Sequence, residues 1–221
     1  KNGKINCALD LWILSRLNQC ITKATKGFDE FEYCDARVAI EDFFWNDFCD
    51  NYLELVKARA YGENGESSGN QQSALYTIYH CLDAILRLFA PFVPHITEEL
   101  YSHIFDDKYA KLGSIHARGN WVKAEDYPYD AASEKSGMAA VDVLNVIRKS
   151  KSEANVSIKF PVQEVQVTKA GDGASWNDLS EILADLKAAG NAESIIESKS
   201  NDLPYTSENG WFRIGVKLAE A

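Results

Sequence analysis

The chain has 221 residues, of which 33 are acidic and 23 are basic, so its formal net charge is −10. This length suits one large domain or two small ones, and a content of 46% hydrophobic and 25% charged residues excludes a mainly disordered chain. The excess of acid argues against unspecific binding to DNA or to an anionic membrane, so any contact with nucleic acid requires a local cluster of cations.

The cysteines and the termini indicate the compartment. The cysteines are Cys7, Cys20, Cys34, Cys49 and Cys81. Their number is odd, and no pair has the short spacing of a zinc site, so we expect buried, reduced thiols. The chain lacks an apolar run of the ~20 residues that span a bilayer and lacks a signal-peptide pattern, which predicts a cytoplasmic protein. A helical pattern that starts almost at Lys1 favours the interior of a longer chain.

The first part of the chain predicts long helices. Over residues 10–31, apolar residues recur every three or four positions, as on the buried side of a helix. A second helix is predicted over 36–61, with Asp35 as its N-cap. Apolar side chains cover more than half of its circumference, so this helix must lie in the middle of a bundle. Residues 62–72 are rich in Gly, Ser and Asn and predict a flexible loop.

Two further helices complete the predicted bundle. Residues 73–90 are apolar on most sides and end at Pro91, and Pro94 can occupy the first turn of the next helix. Four helices joined by mostly short loops predict a mainly α protein built as an antiparallel helical bundle. Residues 106–133 are expected to be irregular.

The last part of the chain predicts a small α/β region of βαββ type, which a helix over 136–153 precedes. The predicted elements are a strand at 162–167, a helix at 176–189, a strand at 195–196 and a strand at 211–218. We therefore divide the chain into a helical-bundle domain, residues 1–133, and a C-terminal domain of one helix and the α/β region, residues 134–221.

The sequence lacks the residue types or the spacings of common catalytic motifs. The chain has no Gly-rich phosphate loop, and the segment 95–99 (HITEE) lacks the second His of a zinc-binding helix. His80 and Cys81 are adjacent on a helix and diverge by about 100°. A strip of carboxylates on the second helix could hold a divalent cation, although such a strip is usually solvated; its members are Asp47, Asp50 and Glu54. We predict no catalytic residue and no metal ligand.

The first helix carries the most informative polar surface. A line opposite its apolar side holds an aromatic ring, an amide and cations: Trp12, Arg16, Gln19, Lys23 and Lys26. At the helical rotation per residue, these side chains fall within a sector of roughly 80°. Proteins hold RNA loops with cations that neutralise phosphates and rings on which bases stack, although a merely solvated face can have this composition. A second basic cluster consists of Arg148, Lys149 and Lys151, followed by Lys159.

Four segments of the chain resemble one family. They are residues 10–18 (DLWILSRLN), 43–57 (FFWNDFCDNYLELVK), 90–100 (APFVPHITEEL) and 152–157 (SEANVS), the last one following Ile147 and Arg148. Together they resemble the anticodon-binding region of class I aminoacyl-tRNA synthetases over about residues 8–165. The third segment is shared by the valyl, isoleucyl and leucyl branches, whereas the second is similar mainly to the valyl branch.

The resemblance implies the recognition part of an enzyme and not its catalytic part. In that family a Rossmann domain uses ATP and Mg²⁺ to attach the amino acid to tRNA, and an inserted domain edits wrong products. Neither is expected in this chain, so no cofactor is expected here. Residues 148–152 (RKSKS) imitate the KMSKS loop of the family, but they follow the helical region instead of preceding it. We therefore interpret this run as part of a helix.

A valine-specific tRNA is the partner that the resemblance implies, bound by a monomeric chain. Contacts to the anticodon loop are expected from Trp12, Arg16, Gln19, Lys23, Asn46, Asn51 and Lys57. Contacts to the tRNA backbone are expected from Arg148, Lys149 and Lys151. Core positions are expected for Phe44, Trp45, Phe48 and Tyr52. Two alternatives stay open: the corresponding region of an isoleucyl- or leucyl-tRNA synthetase, and a freestanding helical module for protein–protein interaction, which the negative net charge favours modestly.

Overall fold

The computed structural model describes residues 5–62, 69–117, 121–200 and 202–220. Its helical part consists of α1 (Ala8–Asp29), α2 (Tyr33–Asp42), a π-helical segment (Phe43–Tyr52), α3 (Leu53–Tyr61), α4 (Gly69–Phe89), α5 (Pro94–Ile104), α6 (Asp106–Leu112) and α7 (Ala131–Glu153). The mainly α fold with a helical bundle is confirmed. Most of the predicted loop over 62–72 lies outside the described residues, and α4 already begins at Gly69.

The second predicted helix is a continuous helical segment whose middle is wider than an α-helix. α2, the π-helical segment and α3 follow one another directly, and the backbone N–H of Leu53 donates to the carbonyl of Phe48, five residues earlier. Because this bond closes a wider turn, each residue rotates the chain less than in an α-helix. Side chains after Phe43 therefore point in directions that differ from those predicted for an α-helix. Helix α2 follows Glu32, and Asp35 lies inside it instead of capping it.

The segment predicted to be irregular is partly helical. It contains α6, a 3₁₀ turn at Ala124–Asp126 and the start of α7. The side chain of Asp130 caps α7 by accepting hydrogen bonds from the backbone N–H of Ala132 and Ser133, at 3.0 and 2.8 Å. Helix α7 therefore begins five residues before Ser136, the predicted start, because the cap and not the apolar period sets its first turn.

The α/β region has one strand more than the predicted βαββ unit. Its elements are β1 (Val162–Lys169), α8 (Trp176–Ser180), α9 (Leu183–Gly190), β2 (Ala192–Glu197), β3 (Tyr205–Thr206) and β4 (Phe212–Leu218). The strand order is β2-β1-β4-β3, with β1 parallel to β2 and antiparallel to β4, and β3 antiparallel to β4. The predicted single helix is divided into α8 and α9, and the two-residue strand β3 is too short for a sequence period to reveal.

One hydrophobic cluster runs through the bundle and the sheet. It includes Leu17 of α1, Ile147 of α7, Val165 of β1 and Ile214 of β4, all at most 1% exposed. Helix α7 contacts both α1 and β4, so it joins the two parts. The domain boundary after residue 133 stays a prediction.

A buried ionic cluster also joins the two parts. Asp10 has no exposed surface, and Arg59 of α3 is 8% exposed. Arg59 donates to both carboxylate oxygens of Asp10 at 2.9 Å, and its Nε donates to Asp185 of α9 at 3.0 Å. Tyr52 and Ser73 also donate hydroxyl hydrogens to Asp10. Burial and the adjacent Asp10 raise the pKa of Tyr52 well above its usual value, so this hydroxyl keeps its proton.

The expectation of buried thiols holds only in part. All five cysteines are unpaired: Cys20 and Cys81 are buried, Cys7 and Cys49 are half-buried, and Cys34 is exposed. Within the described ranges, no group of three or more His, Cys, Asp or Glu side chains is arranged to hold a metal ion. Among the helices that the structure describes, none is long and apolar enough to cross a membrane.

Candidate nucleic-acid interface

Trp12 does not lie on the surface, so its expected exposure is wrong. The side chain is 2% exposed and packs on Gly137 of α7, where a Cβ atom would lie 2.0 Å from the Cγ of the indole. The absence of a side chain at Gly137 therefore lets α7 approach α1 closely. The apolar area of an indole stabilises the fold most when it is buried in such a slot. Trp12 is therefore a core residue and offers no face for a base to stack on.

Arg16 and Gln19 are half-buried and hold α1 to its neighbours. Arg16 Nε lies 2.9 Å from Asp47 Oδ2, and Arg16 Nη1 lies 3.9 Å from Glu134 Oε2. Gln19 donates to Glu134 Oε1 at 2.9 Å. Desolvation raises the pKa of Asp47, while the charge and the hydrogen bond of Arg16 oppose that shift. The guanidinium is thus already neutralised by carboxylates, which leaves it a weaker partner for a phosphate.

Lys23 and Lys26 lie beyond these contacts, and both are exposed. Lys26 Nζ is 3.9 Å from Glu30 Oε1, a surface ion pair of little strength. Both lysines line a groove of about 350 Å³ between α1 and α2, which is also lined by the carboxylates of Glu30, Glu32, Asp35 and Asp42. Of the line predicted on α1, this pair of cations is accessible to phosphates.

Asn51 of the π-helical segment and Arg148 of α7 are bonded to each other. Arg148 donates to Asn51 Oδ1 at 3.1 Å and to the carbonyl of Asp50 at 2.6 Å. Asn51 in turn donates to the carbonyl of Asn46 at 2.8 Å. Desolvation lowers the pKa of Arg148. These side chains bond to carbonyl groups of the wide turn and connect it to α7, while Asn46 is exposed and donates to Asp42 at 2.9 Å.

The remaining predicted cations have different surroundings. Lys57 is exposed and pairs with Glu54 at 3.3 Å. Lys149 is exposed, lies 4.0 Å from Glu153 and lies 5.8 Å from the ring centre of Tyr205. These two cations lie on the surface, where a phosphate can reach them.

Lys151 is only 2% exposed, so its expected contact with the tRNA backbone is wrong. Its ammonium group donates to the carbonyl oxygens of Ile158 and Gly190, both at 2.8 Å. This side chain fastens the end of α7 to the strand connections, and desolvation lowers its pKa. The RKSKS run lies within α7, as interpreted from the sequence, and is not a mobile loop.

Trp45, which the sequence analysis placed in the core, is exposed, and so is Phe31 at the end of the apolar period of α1. Trp45 is 57% exposed, with its ring centre 4.7 Å from that of Phe44, which in turn packs on Phe89 at 5.6 Å. Phe31 lies in the turn after α1, with a φ of 61° that a bulky residue rarely adopts. The π-helical rotation turns Trp45 outward, and no periodicity in the sequence signals that rotation. Phe48 and Tyr52 are buried and Phe44 is half-buried, as expected.

Comparisons with known proteins agree with this architecture. The family described as the anticodon-binding domain of tRNA ligase matches residues 10–167. A valine–tRNA ligase of Wolbachia sp. subsp. Brugia malayi is 41% identical over 98% of this chain, which corresponds to 24% of that ligase. Valine–tRNA ligases of Wolbachia pipientis wMel and Ehrlichia ruminantium (strain Welgevonden) are 44% and 40% identical over 85% and 97% of the chain. The chain spans only a fifth to a quarter of the length of these relatives, between 20% and 25%.

Proposed function

The chain belongs to the family of anticodon-binding domains of tRNA ligases, and from this membership we propose that it recognises valine tRNA as part of a valine–tRNA ligase. The observation that carries the proposal is the match over residues 10–167, together with relatives that are named valine–tRNA ligases. Joining valine to tRNA, with ATP and Mg²⁺, belongs in this proposal to other regions of such an enzyme. The task of this chain is recognition, which requires positioning of RNA and no bond chemistry.

The proposed phosphate contacts are Lys23 and Lys26. Both ammonium groups project from α1 at the edge of the groove to α2, and Lys26 forms a long surface pair with Glu30. The groove itself also carries the carboxylates of Glu32, Asp35 and Asp42, so a phosphate is expected at the exposed side of the two lysines and not inside the groove. A chain with a net charge of −10 repels RNA as a whole, so a few accessible cations must supply the attraction locally. Lys57 and Lys149 are exposed and can add to it at a distance from the groove.

The residue proposed to stack on an unpaired base is Trp45, because Trp12 is buried. The indole of Trp45 is exposed and contacts the ring of Phe44 edge to face, and Phe44 in turn packs edge to face on Phe89. A fixed, exposed ring binds an unpaired base with little loss of side-chain entropy, at about 1–3 kcal/mol per stacked base. The π-helical segment that carries Trp45 is a local irregularity of a kind found frequently at functional sites.

The test is a titration of the purified chain with valine, isoleucine and leucine tRNA at low salt. Valine tRNA is expected to bind tightest, and a changed anticodon is expected to weaken it. The Lys23→Ala and Lys26→Ala variants are expected to bind less tightly, and each should reduce the slope of log affinity against log salt by about 1. Trp45→Ala should weaken binding with the salt slope unchanged, because stacking releases no counterions.

Lys217→Ala, on the sheet, is the matched control and should bind like the parent chain. Equal affinity for the three tRNAs would assign specificity to other regions of the ligase and refute this proposal. Equal affinity of the Lys23 and Lys26 variants would refute the proposed contacts only.

We also propose that the chain is a cytoplasmic monomer. The excess of negative charge opposes self-association. Sedimentation equilibrium over a hundredfold range of concentration should return the mass of a single chain, 24.7 kDa.

A further inference from the structure

Helix α5 is anchored in the molecule along one side. Tyr101 and the adjacent Phe105 are each 1% exposed and pack with Leu86, Ala90 and Ile115 in a small cluster separate from the main core. This cluster fixes the rotation of α5 about its axis.

A carboxylate anchors the next flank of the same helix. Glu98 accepts hydrogen bonds from Tyr109, Ser114 and the backbone of Ile115, each at 3.0 Å. Although desolvation acts in the opposite direction, these hydrogen bonds lower the pKa of Glu98. The orientation of α5 is therefore set by groups on the sides that face the protein.

The opposite flank of α5 is apolar and uncovered. Its side chains, here named the α5 stripe, are Val93, Ile96, Leu100 and Ile104, and each is between 40% and 54% exposed. At the helical rotation per residue they fall within a sector of roughly 80° that adjoins the buried side. Leu75 and Tyr79 of the neighbouring α4 are exposed as well, and the ring centre of Tyr79 lies 4.8 Å from that of Phe105. Aliphatic groups concentrated on one flank mark a contact surface more than a solvated one.

We propose that the α5 stripe is the surface on which the rest of the ligase polypeptide packs against this domain. The relatives offer such an occupant, because this domain accounts for only 20–25% of their length. The proposal rests on membership of the family and not on the proposed tRNA contacts.

The chemistry of α5 excludes RNA as the occupant. Helix α5 contains no Lys or Arg and exposes the carboxylate of Glu99, so it offers a phosphate backbone no Lys or Arg to bind. A second copy of the chain is disfavoured by the net charge of −10 that both copies would carry. An apolar surface of another region of the same enzyme meets neither objection.

The test mixes this chain with the purified portion of the Wolbachia sp. subsp. Brugia malayi ligase that lies outside the matched region, and measures association by calorimetry. The test variant combines Ile96→Gln with Leu100→Gln, since Gln keeps helix propensity and removes the branched apolar groups. The control combines Ile158→Gln with Ile196→Gln, two exposed aliphatic residues of the α/β region.

The parent chain and the control should bind alike, and the test variant should bind roughly tenfold more weakly or worse. The melting temperature of the test variant should stay within about 2 °C of that of the parent, because Ile96 and Leu100 are already 54% and 40% exposed. The affinity of the test variant for valine tRNA should not change.

Several results would overturn the proposal. The first is equal binding of the test variant and the parent to the ligase portion, and the second is absence of binding to a ligase portion that itself unfolds cooperatively. The third is a dimer of the chain that the test variant abolishes, and the fourth is a loss of tRNA affinity in the test variant. The last two would assign the stripe to a second copy or to RNA.

Discussion

The line of polar and aromatic side chains predicted on α1 extends along both halves of the helix, but the two halves have different surroundings. In the first half, Trp12 is buried on α7, and Arg16 and Gln19 are bonded to carboxylates of neighbouring elements. In the second half, Lys23 and Lys26 are exposed beside a groove. The contacts that α7 makes through Gly137 and Glu134 all fall on residues N-terminal to Lys23.

The difference shows that a polar sector on a helix acquires its role from what packs on it. The guanidinium and the indole of the first half pack within the fold, whereas the ammonium groups of the second half are exposed, and that of Lys26 forms a long surface pair with Glu30. Substitutions in the first half should therefore change stability, and substitutions in the second half should change binding alone.

The largest effect is expected from Arg59→Met, which leaves Asp10 of the first half buried with an uncompensated charge. Removing one partner of a buried ion pair costs about 3–5 kcal/mol. Urea denaturation should show this loss in the free energy of unfolding. Lys57→Met, an exposed position on the same helix, should change it by less than about 0.5 kcal/mol. Similar small losses for both variants would mean that Asp10 does not anchor this half of α1.

Gly137→Ala should lower the free energy of unfolding by about 1–3 kcal/mol, because the new methyl group collides with the Trp12 ring. Thermal and urea unfolding measure the loss. In Gly69→Ala, where nothing lies within 4 Å of the new methyl group, little change is expected. Trp12→Leu should reduce the cost of Gly137→Ala, and strict additivity of the two changes would contradict the packing described for this half of the helix.

Arg16→Leu should cost roughly 1–2 kcal/mol at neutral pH, since Asp47 loses its partner while both side chains are only partly buried. Without Arg16, burial raises the pKa of Asp47 further, with the charge of Lys23 still opposing the shift, so the ionised carboxylate is penalised in the folded state. The loss in the free energy of unfolding should be complete at pH 7. It should disappear as the pH falls to 3.8, the ordinary pKa of an Asp side chain, because Asp47 is then protonated in the folded state. Arg37→Leu, an exposed pair with Glu41, is the control, and a loss independent of pH would argue against this ion pair.

The smallest effect on stability is expected from substitutions in the second half of α1. Lys23→Ala and Lys26→Ala should each change the free energy of unfolding by no more than about 0.5 kcal/mol. The same samples, used for tRNA titration, separate binding from folding. A loss of more than 1 kcal/mol would show that this half of α1 is held as tightly as the first, and the contrast between the halves would fail.

Apolar periodicity and the prolines determined the helices and the α/β region, and the resemblance of four short segments indicated the family to which the chain belongs. Those features are local: apolar spacing, prolines and short motifs are read without knowledge of distant contacts. The apolar side of α1 and the helical state of residues 148–152 could be predicted for this reason.

Tertiary packing decided which of the predicted site residues are accessible. A period shows that Trp12 lies opposite the apolar side of α1, but whether another element covers it depends on a residue far away, here Gly137. Lys151 is likewise buried through the carbonyl oxygens of Ile158 and Gly190, which no period of α7 reveals. The exposure of Trp45 depends on a local change of helical rotation that the residue pattern does not encode. The local sequence specifies on which side of its helix a residue lies, whereas the burial of that residue depends on which other elements of the folded chain pack against that side.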